Sequence, residues 1–268
     1  MPDALGWRAN WGVIVPSTNT SVQPEFDEMR PRGVTNHTVR IWIPDDPVGS
    51  NADFNSLMDN IRKEWDNSIL RVITCKPDYL VMGMSSETFW GGLQQSIILR
   101  ERIKELSGLG VSMGSDACQA ALRCYGDIKR IGVLTPYWPV ADENVKLFLE
   151  ECGFEVVVIN GFCCDSPTAI AKVTEKQMLD GLLELNEHNV EALLQVGTNL
   201  AMARLAAEAE KWLKKPVIAI NTATYWYAMR ANGMRDQIDG FGSLMTDFTE
   251  LPKSYLDMMG SQGASLLG

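Results

Sequence analysis

Trp11–Pro16 reads WGVIVP and Ile131–Pro136 reads IGVLTP, so an apolar run closing on Gly-Val-x-x-Pro occurs twice. Working outward, Tyr79–Gly83 (YLVMG) pairs with Leu193–Gly197 (LLQVG). Val111–Gly126 (VSMGSDACQAALRCYG) pairs in the same way with Val217–Gly233 (VIAINTATYWYAMRANG). The offset runs from 120 residues (11 to 131) to 106 residues (111 to 217). In each pair a strand-like run gives way to small hydroxyl or amide residues and then to a helical pattern. Two such halves, facing each other, make one cleft lined by strand ends and helix starts, where small anions bind.

The alternation is consistent along the chain. Strand-like runs are expected at Gly12–Val15, Val39–Ile43, Tyr79–Met82, Val111–Met113, Ile131–Leu134, Glu155–Ile159, Ala192–Val196 and Val217–Ile220. Helical periodicity fills the gaps at Asp53–Ile73, Leu93–Leu106, Ala141–Cys152, Glu175–Glu187 and Ala201–Leu213. Short, wholly apolar strands separated by helices indicate parallel sheets covered on both faces. Eight strands also admit a TIM barrel, but the half-chain duplication and uneven spacing argue against it. The expected class is α/β, with two pseudo-symmetric doubly wound domains, each carrying a four-stranded parallel sheet, and the site at their interface. The first lobe takes residues 1–114 with the closing segment 221–268, and the second takes 115–220.

Composition bounds the partners. The chain has 268 residues, 46% hydrophobic and 22% charged, which is enough for a sizeable core. A net charge of −10 sets it against nucleic acid and anionic membranes, which need clustered Lys and Arg. The N-terminal MPDALGWRAN lacks an apolar leader, and no stretch approaches the roughly 18 apolar residues of a membrane span. A cytoplasmic protein is expected. The six cysteines show no CxxC spacing and read as free thiols, and the two histidines, His37 and His188, lack a second ligand at metal spacing. No metal is expected.

Chemistry is concentrated at the repeated strand ends. Ser17, Thr18, Asn19 and Thr20 follow the first strand beside a helix start that Pro24 and Glu25 suit, which makes either a simple cap or a carboxylate cradle. Ser85, Ser86 and Glu87 follow the third strand. Glu87 reads either as a helix cap or as a general base raised by partial burial. The adjoining Phe89 and Trp90 could wall an apolar group. In the second half Tyr137 is a candidate hydrogen-bond donor or acid, with Asn144 a turn into the next helix. Gly197, Thr198 and Asn199 mirror the Ser85 loop.

The segments VPSTNTSVQPEF, LTPYWPVADENVKLFLEECGFEV, CDSPTAIAKVT and GTNLAMARLAAEAEKWLKKPVIAINTATYWYAMRANG together resemble the aspartate/glutamate racemase superfamily, in its maleate cis–trans isomerase and arylmalonate decarboxylase branch. The resemblance spans nearly the whole chain. It implies a two-domain pseudo-symmetric fold, a homo-oligomer, and neither metal nor organic cofactor. It also implies that Asn19, Tyr137, Thr198 and Asn199 contact substrate carboxylates. The family's chemistry usually rests on one cysteine after the third strand and another just before Thr-Asn-Leu. Here those places read GMSSETFWGG and VGTNL, with Gly197 where the second thiol belongs. Serine is no substitute as a carbon base, since about seven pKa units separate alcohol from thiol, about 10 kcal/mol.

Two replacements are open: Glu87 as the base, or Cys118 as a relocated thiolate near a helix start. The leading expectation is a cofactor-independent isomerase or decarboxylase-like enzyme on a small anionic or carbonyl-containing substrate. Glu87 would be its acid/base, Ser85 and Ser86 its oxyanion donors, and Tyr137 its donor or acid. The alternatives are a hydrolase of an amide, lactone or cyclic imide using Glu87-activated water, and a non-catalytic carboxylate binder.

Overall fold

The computed structural model describes residues 3–265. Eight strands form two separate sheets of four. Strands β1 (Ala9–Pro16), β2 (Val34–Ile41), β3 (Tyr79–Met82) and β4 (Val111–Ser112) stand in the order β2-β1-β3-β4. Strands β5 (Arg130–Thr135), β6 (Glu155–Gly161), β7 (Ala192–Gln195) and β8 (Val217–Ala219) repeat it as β6-β5-β7-β8. Every pairing is parallel. The duplicated sequence therefore folds twice into one topology, and two sheets of four exclude a single closed barrel.

The helices are α1 (Val22–Met29), α2 (Asn51–Val72), α3 (Ser86–Phe89), α4 (Gly92–Ser107), α5 (Gly114–Cys124), α6 (Pro139–Glu151), α7 (Glu175–Asn186), α8 (Ala203–Leu213), α9 (Ile220–Ala231), α10 (Ser243–Asp247) and α11 (Lys253–Ser265). Helix α2 shows how the sequence builds them. Ser50 caps it by accepting from the Asp53 N–H at 3.2 Å. Phe54, Met58, Ile61, Trp65, Ile69 and Val72 then recur every three or four residues and are buried. Emptying that face by Trp65→Ala would cost about 3–5 kcal/mol. Helix α7 starts with a reciprocal Thr174–Gln177 capping box. Helix α9 is buried nearly all round, packing against α1, α5, β3, β4 and β8.

One strand departs from expectation. The run Val39–Ile43 predicted β2, yet the strand begins at Val34 and ends at Ile41. It is an edge strand, paired with β1 alone, so Thr35, Asn36, His37 and Thr38 can be half-buried and polar without loss. Trp42 then leaves the sheet and stands 63% exposed.

This topology decides where a ligand can bind. In each sheet the chain leaves the first strand towards one side and returns to the third on the other. The carboxyl ends of β1 and β3, and of β5 and β7, therefore flank a topological switch point. The polar loops singled out in the sequence leave from those four ends. Among the described residues, no helix is long and apolar enough to cross a membrane.

Candidate functional site

At the end of β1 the backbone turns through Pro16–Thr20, and Asn19 organises the turn. Its Oδ1 accepts from the Ser21 and Val22 N–H groups, both at 3.0 Å, which caps α1. Its Nδ2 donates at 3.2 Å across the cleft to Thr198 Oγ1. Thr198 in turn donates its hydroxyl to the Gly83 carbonyl at 3.1 Å and its N–H to Ser85 Oγ at 3.2 Å. Ser85 Oγ lies 2.5 Å from the Tyr137 hydroxyl. Asn19, Ser85, Tyr137 and Thr198, from four different strand ends, thus form one connected network. All four are buried.

The network floors a cavity of about 60 Å³ lined also by Thr18, Ser86, Gly197 and Asn199. Its other wall is apolar: Ile43, Phe54, Leu57 and Ile61 from the first half, Ile170 from the second, with Met84 between. Phe54 meets Tyr137 edge-on at 5.6 Å.

Tyr137 is the one titratable side chain among the described lining residues. Burial pushes its phenol well above the ordinary range, and the Ser85 hydrogen bond opposes this only in part. The phenol therefore keeps its proton. In a hydroxyl pair one member donates to the other, which leaves one O–H proton over in either orientation. That proton, with the surrounding amide and hydroxyl groups, suits an oxyanion. No Arg or Lys lines the cavity, so an anion here would be held by neutral donors.

Two loops are clasped to each other beside the network. Asp45 accepts from the Thr168 N–H at 2.9 Å and hydroxyl at 2.5 Å, and the Val48 N–H donates to the Asp165 carbonyl at 2.8 Å. Asn199 spends its amide on backbone, accepting from the Thr20 N–H at 2.9 Å and donating to the Pro167 carbonyl at 3.1 Å. These contacts bring Pro167 and Ile170 over the cavity.

Several expectations need correction. Glu87 does not line the cavity: its carboxylate accepts from Arg62 Nε at 2.8 and 3.0 Å, and Arg62 lies over the Trp90 ring. Burial raises its pKa, with Arg62 opposing, but the group faces α2 rather than the cleft. Ser17 is not on the lining either. Its hydroxyl bonds the Ile43 carbonyl and N–H, pinning the end of β2. Phe89 packs on Phe148 and Trp90 stacks on Phe54, so the aromatic wall is Phe54 itself. Asn144 ties α6 to the Gly91 N–H. Cys118 is fully buried off the lining, and burial pushes its thiol up, away from a reactive thiolate. Asp142, beneath Thr135, is raised to about 6 by burial.

Gly197 is more than a position without a thiol. Its φ is +115°, a conformation that favours glycine, and an added β-carbon would meet Pro136 Cδ at 2.3 Å. Among the described residues no cluster of three or more His, Cys, Asp or Glu is placed to hold a metal.

Comparison with known proteins agrees with this architecture. The family model described as arylmalonate decarboxylase matches residues 11–245. Maleate isomerase of Nocardia farcinica (strain IFM 10152) is 20% identical over 243 residues, covering 87% of this chain and 94% of that protein. A solved structure of that isomerase, a mutant with a covalently bound succinylcysteine intermediate, superposes with a TM-score of 0.80, covering 89% of this chain and 98% of the other at 20% identity. A crystal structure of arylmalonate decarboxylase gives 0.70 at 19% identity, covering 88% and 98%. At these identities the superpositions establish the shared fold.

Proposed function

The chain belongs to the arylmalonate decarboxylase family, and from that premise we propose that it is a cofactor-independent enzyme that decarboxylates a small malonate-type acid. The observation that supports this reading is the cavity lining itself: Tyr137, bonded to Ser85, is the one titratable side chain among the described lining residues. Isomerisation by thiol addition needs a cysteine at the substrate, and hydrolysis needs a base on water. Decarboxylation needs neither. Its carbon–carbon bond breaks, the electron pair moves into the remaining carboxylate as an enediolate, and carbon dioxide leaves.

What the step demands is a donor for the developing oxyanion and a proton for carbon. In this reading the Ser85–Tyr137 pair and the Thr198 loop supply the first, and removing one such donor costs about 10²–10³ in rate. An enediolate carbon is a far stronger base than a phenolate, so a phenol held protonated by burial can still deliver the proton. The acid/base role expected of Glu87 passes in this reading to Tyr137. The apolar wall of Phe54, Leu57, Ile61 and Ile170 receives the remaining substituent.

The test is turnover of malonate, methylmalonate and phenylmalonate in heavy water. Release of carbon dioxide from at least one of them, with one deuterium on the product carbon, is expected. Oxygen-18 from labelled water entering a cleaved amide or lactone, with no malonate turnover, would replace the reading with hydrolysis. Binding of all three acids without turnover would leave a carboxylate binder.

A further inference from the structure

Behind the Thr198 loop lies a carboxylate that neither the lining nor the proposed reaction uses. Glu25, in the first turn of α1, is half-buried and reaches both α8 and α9. Its Oε1 accepts from the Ala203 N–H at 3.0 Å, which caps the start of α8. Its Oε2 accepts from Asn221 Nδ2 at 2.6 Å. The same Nδ2 donates at 2.9 Å to the Thr198 carbonyl, while Asn221 Oδ1 has no hydrogen-bond partner among the described residues. The amide therefore cannot turn over without losing both bonds. From Thr198 the connection runs on through its N–H to Ser85 and so to Tyr137.

We infer that Glu25 is a positioning residue, which through Asn221 sets the Thr198 loop against Ser85 and ties the geometry of the site to its own protonation state. This rests on the reading that the 197–199 loop belongs to the substrate site, whichever reaction occurs there. Both Glu25 oxygens face N–H donors, an arrangement made for the ionised form. A proton on either oxygen opposes one donor with another, and the Asn221 clamp weakens. Burial acts the other way and raises the carboxyl to about 7, with the Asn221 and Ala203 hydrogen bonds opposing it. The charged group acting on Glu25 is Glu28 on its own helix, which raises it and is itself ion-paired to Arg204 on α8. Helix α9 contributes only the neutral Asn221. Ionisation of Glu25 thus falls where small pH changes move it, and the clamp tightens as pH rises through that region.

The experiment is hydrogen–deuterium exchange of the peptide spanning 196–202, from pH 6 to 8.5 and corrected for intrinsic rate, on the ligand-free wild-type chain. Protection of that peptide is expected to rise severalfold in one step near pH 7, while the second half of α8 stays flat. Glu25→Gln should remove the step. Asn221→Ala, which leaves the α8 cap in place, should remove it too, so a folding defect in one variant leaves the other to decide. A wild-type profile without a step, or a step that persists in either variant, overturns the inference. The measurement needs no substrate, so failure of malonate turnover and failure of this coupling are separate outcomes.

Discussion

Pro136 occupies the space that a side chain on Gly197 would need: a β-carbon there would stand 2.3 Å from its Cδ. The two residues close the β5 and β7 ends of the second sheet against each other. The backbone at residue 197 therefore has no room for a side chain where it meets Pro136.

Gly197→Cys should consequently damage the fold rather than restore thiol chemistry. A left-handed φ of +115° imposed on a side chain costs about 1–3 kcal/mol, and overpacking against Pro136 adds about 1–3 more. Thermal unfolding should show a midpoint several degrees below wild type for both Gly197→Cys and Gly197→Ala. A cysteine variant as stable as wild type and newly active on maleate would show that the loop relaxes freely.

Tyr137→Phe removes the lining's one ionisable hydroxyl. Turnover should fall by about 10²–10³ with substrate affinity changed far less. Ser85→Ala strands the Tyr137 hydroxyl and the Thr198 N–H, and should also cost about 1–3 kcal/mol of stability. Steady-state kinetics beside denaturant unfolding separates these effects. A Tyr137→Phe enzyme at full rate would remove the proposed proton donor.

Glu87→Gln should leave turnover within about threefold of wild type. The substitution weakens the Arg62 ion pair, 2.8 Å long and partly exposed, and such pairs are worth about 0–1 kcal/mol. A loss of two orders of magnitude would return Glu87 to the chemistry and imply that it swings into the cleft.

Stability should decline as pH rises from about 4.5 to about 7. Asp142 and Glu25 are raised in the folded state, to about 6 and about 7, above their unfolded values. A raised carboxyl contributes stability that is fully present below its unfolded pKa and is lost as pH climbs through the folded one. The thermal midpoint, followed across that range, should fall in wild type and flatten in the double variant Asp142→Asn, Glu25→Gln. A midpoint that rises with pH would show that other groups control the response.

How much of this could be read beforehand depends on what each residue's role requires. Asn19, Tyr137 and Thr198 were legible because a polar residue ending a buried apolar run has few other places to go. Glu87 was misread for a geometric reason. It lies on the short α3, where each step along the chain turns a side chain by roughly 100°. Ser85 and Ser86 face the cavity, and the next residue faces Arg62 on α2. Ser17 failed similarly, since its hydroxyl found the end of β2 within reach. Phe54, Leu57 and Ile61 carried no sign of a ligand at all: an apolar helical stripe looks the same whether it covers core or cavity.

The sequence by itself determined the duplicated parallel architecture, because strand period, helix period and repeat spacing are local properties written along the chain. It also determined that polar side chains gather at the strand ends. Only the tertiary structure decided which of them share a cavity, that Gly197 is confined by Pro136, and that Glu25 reaches Thr198 through Asn221. Those facts join residues far apart along the chain, from Gly197 and Pro136, 61 positions apart, to Glu25 and Asn221, 196 positions apart. They are set by the docking of two sheets and by the direction of individual side chains, which no local periodicity encodes.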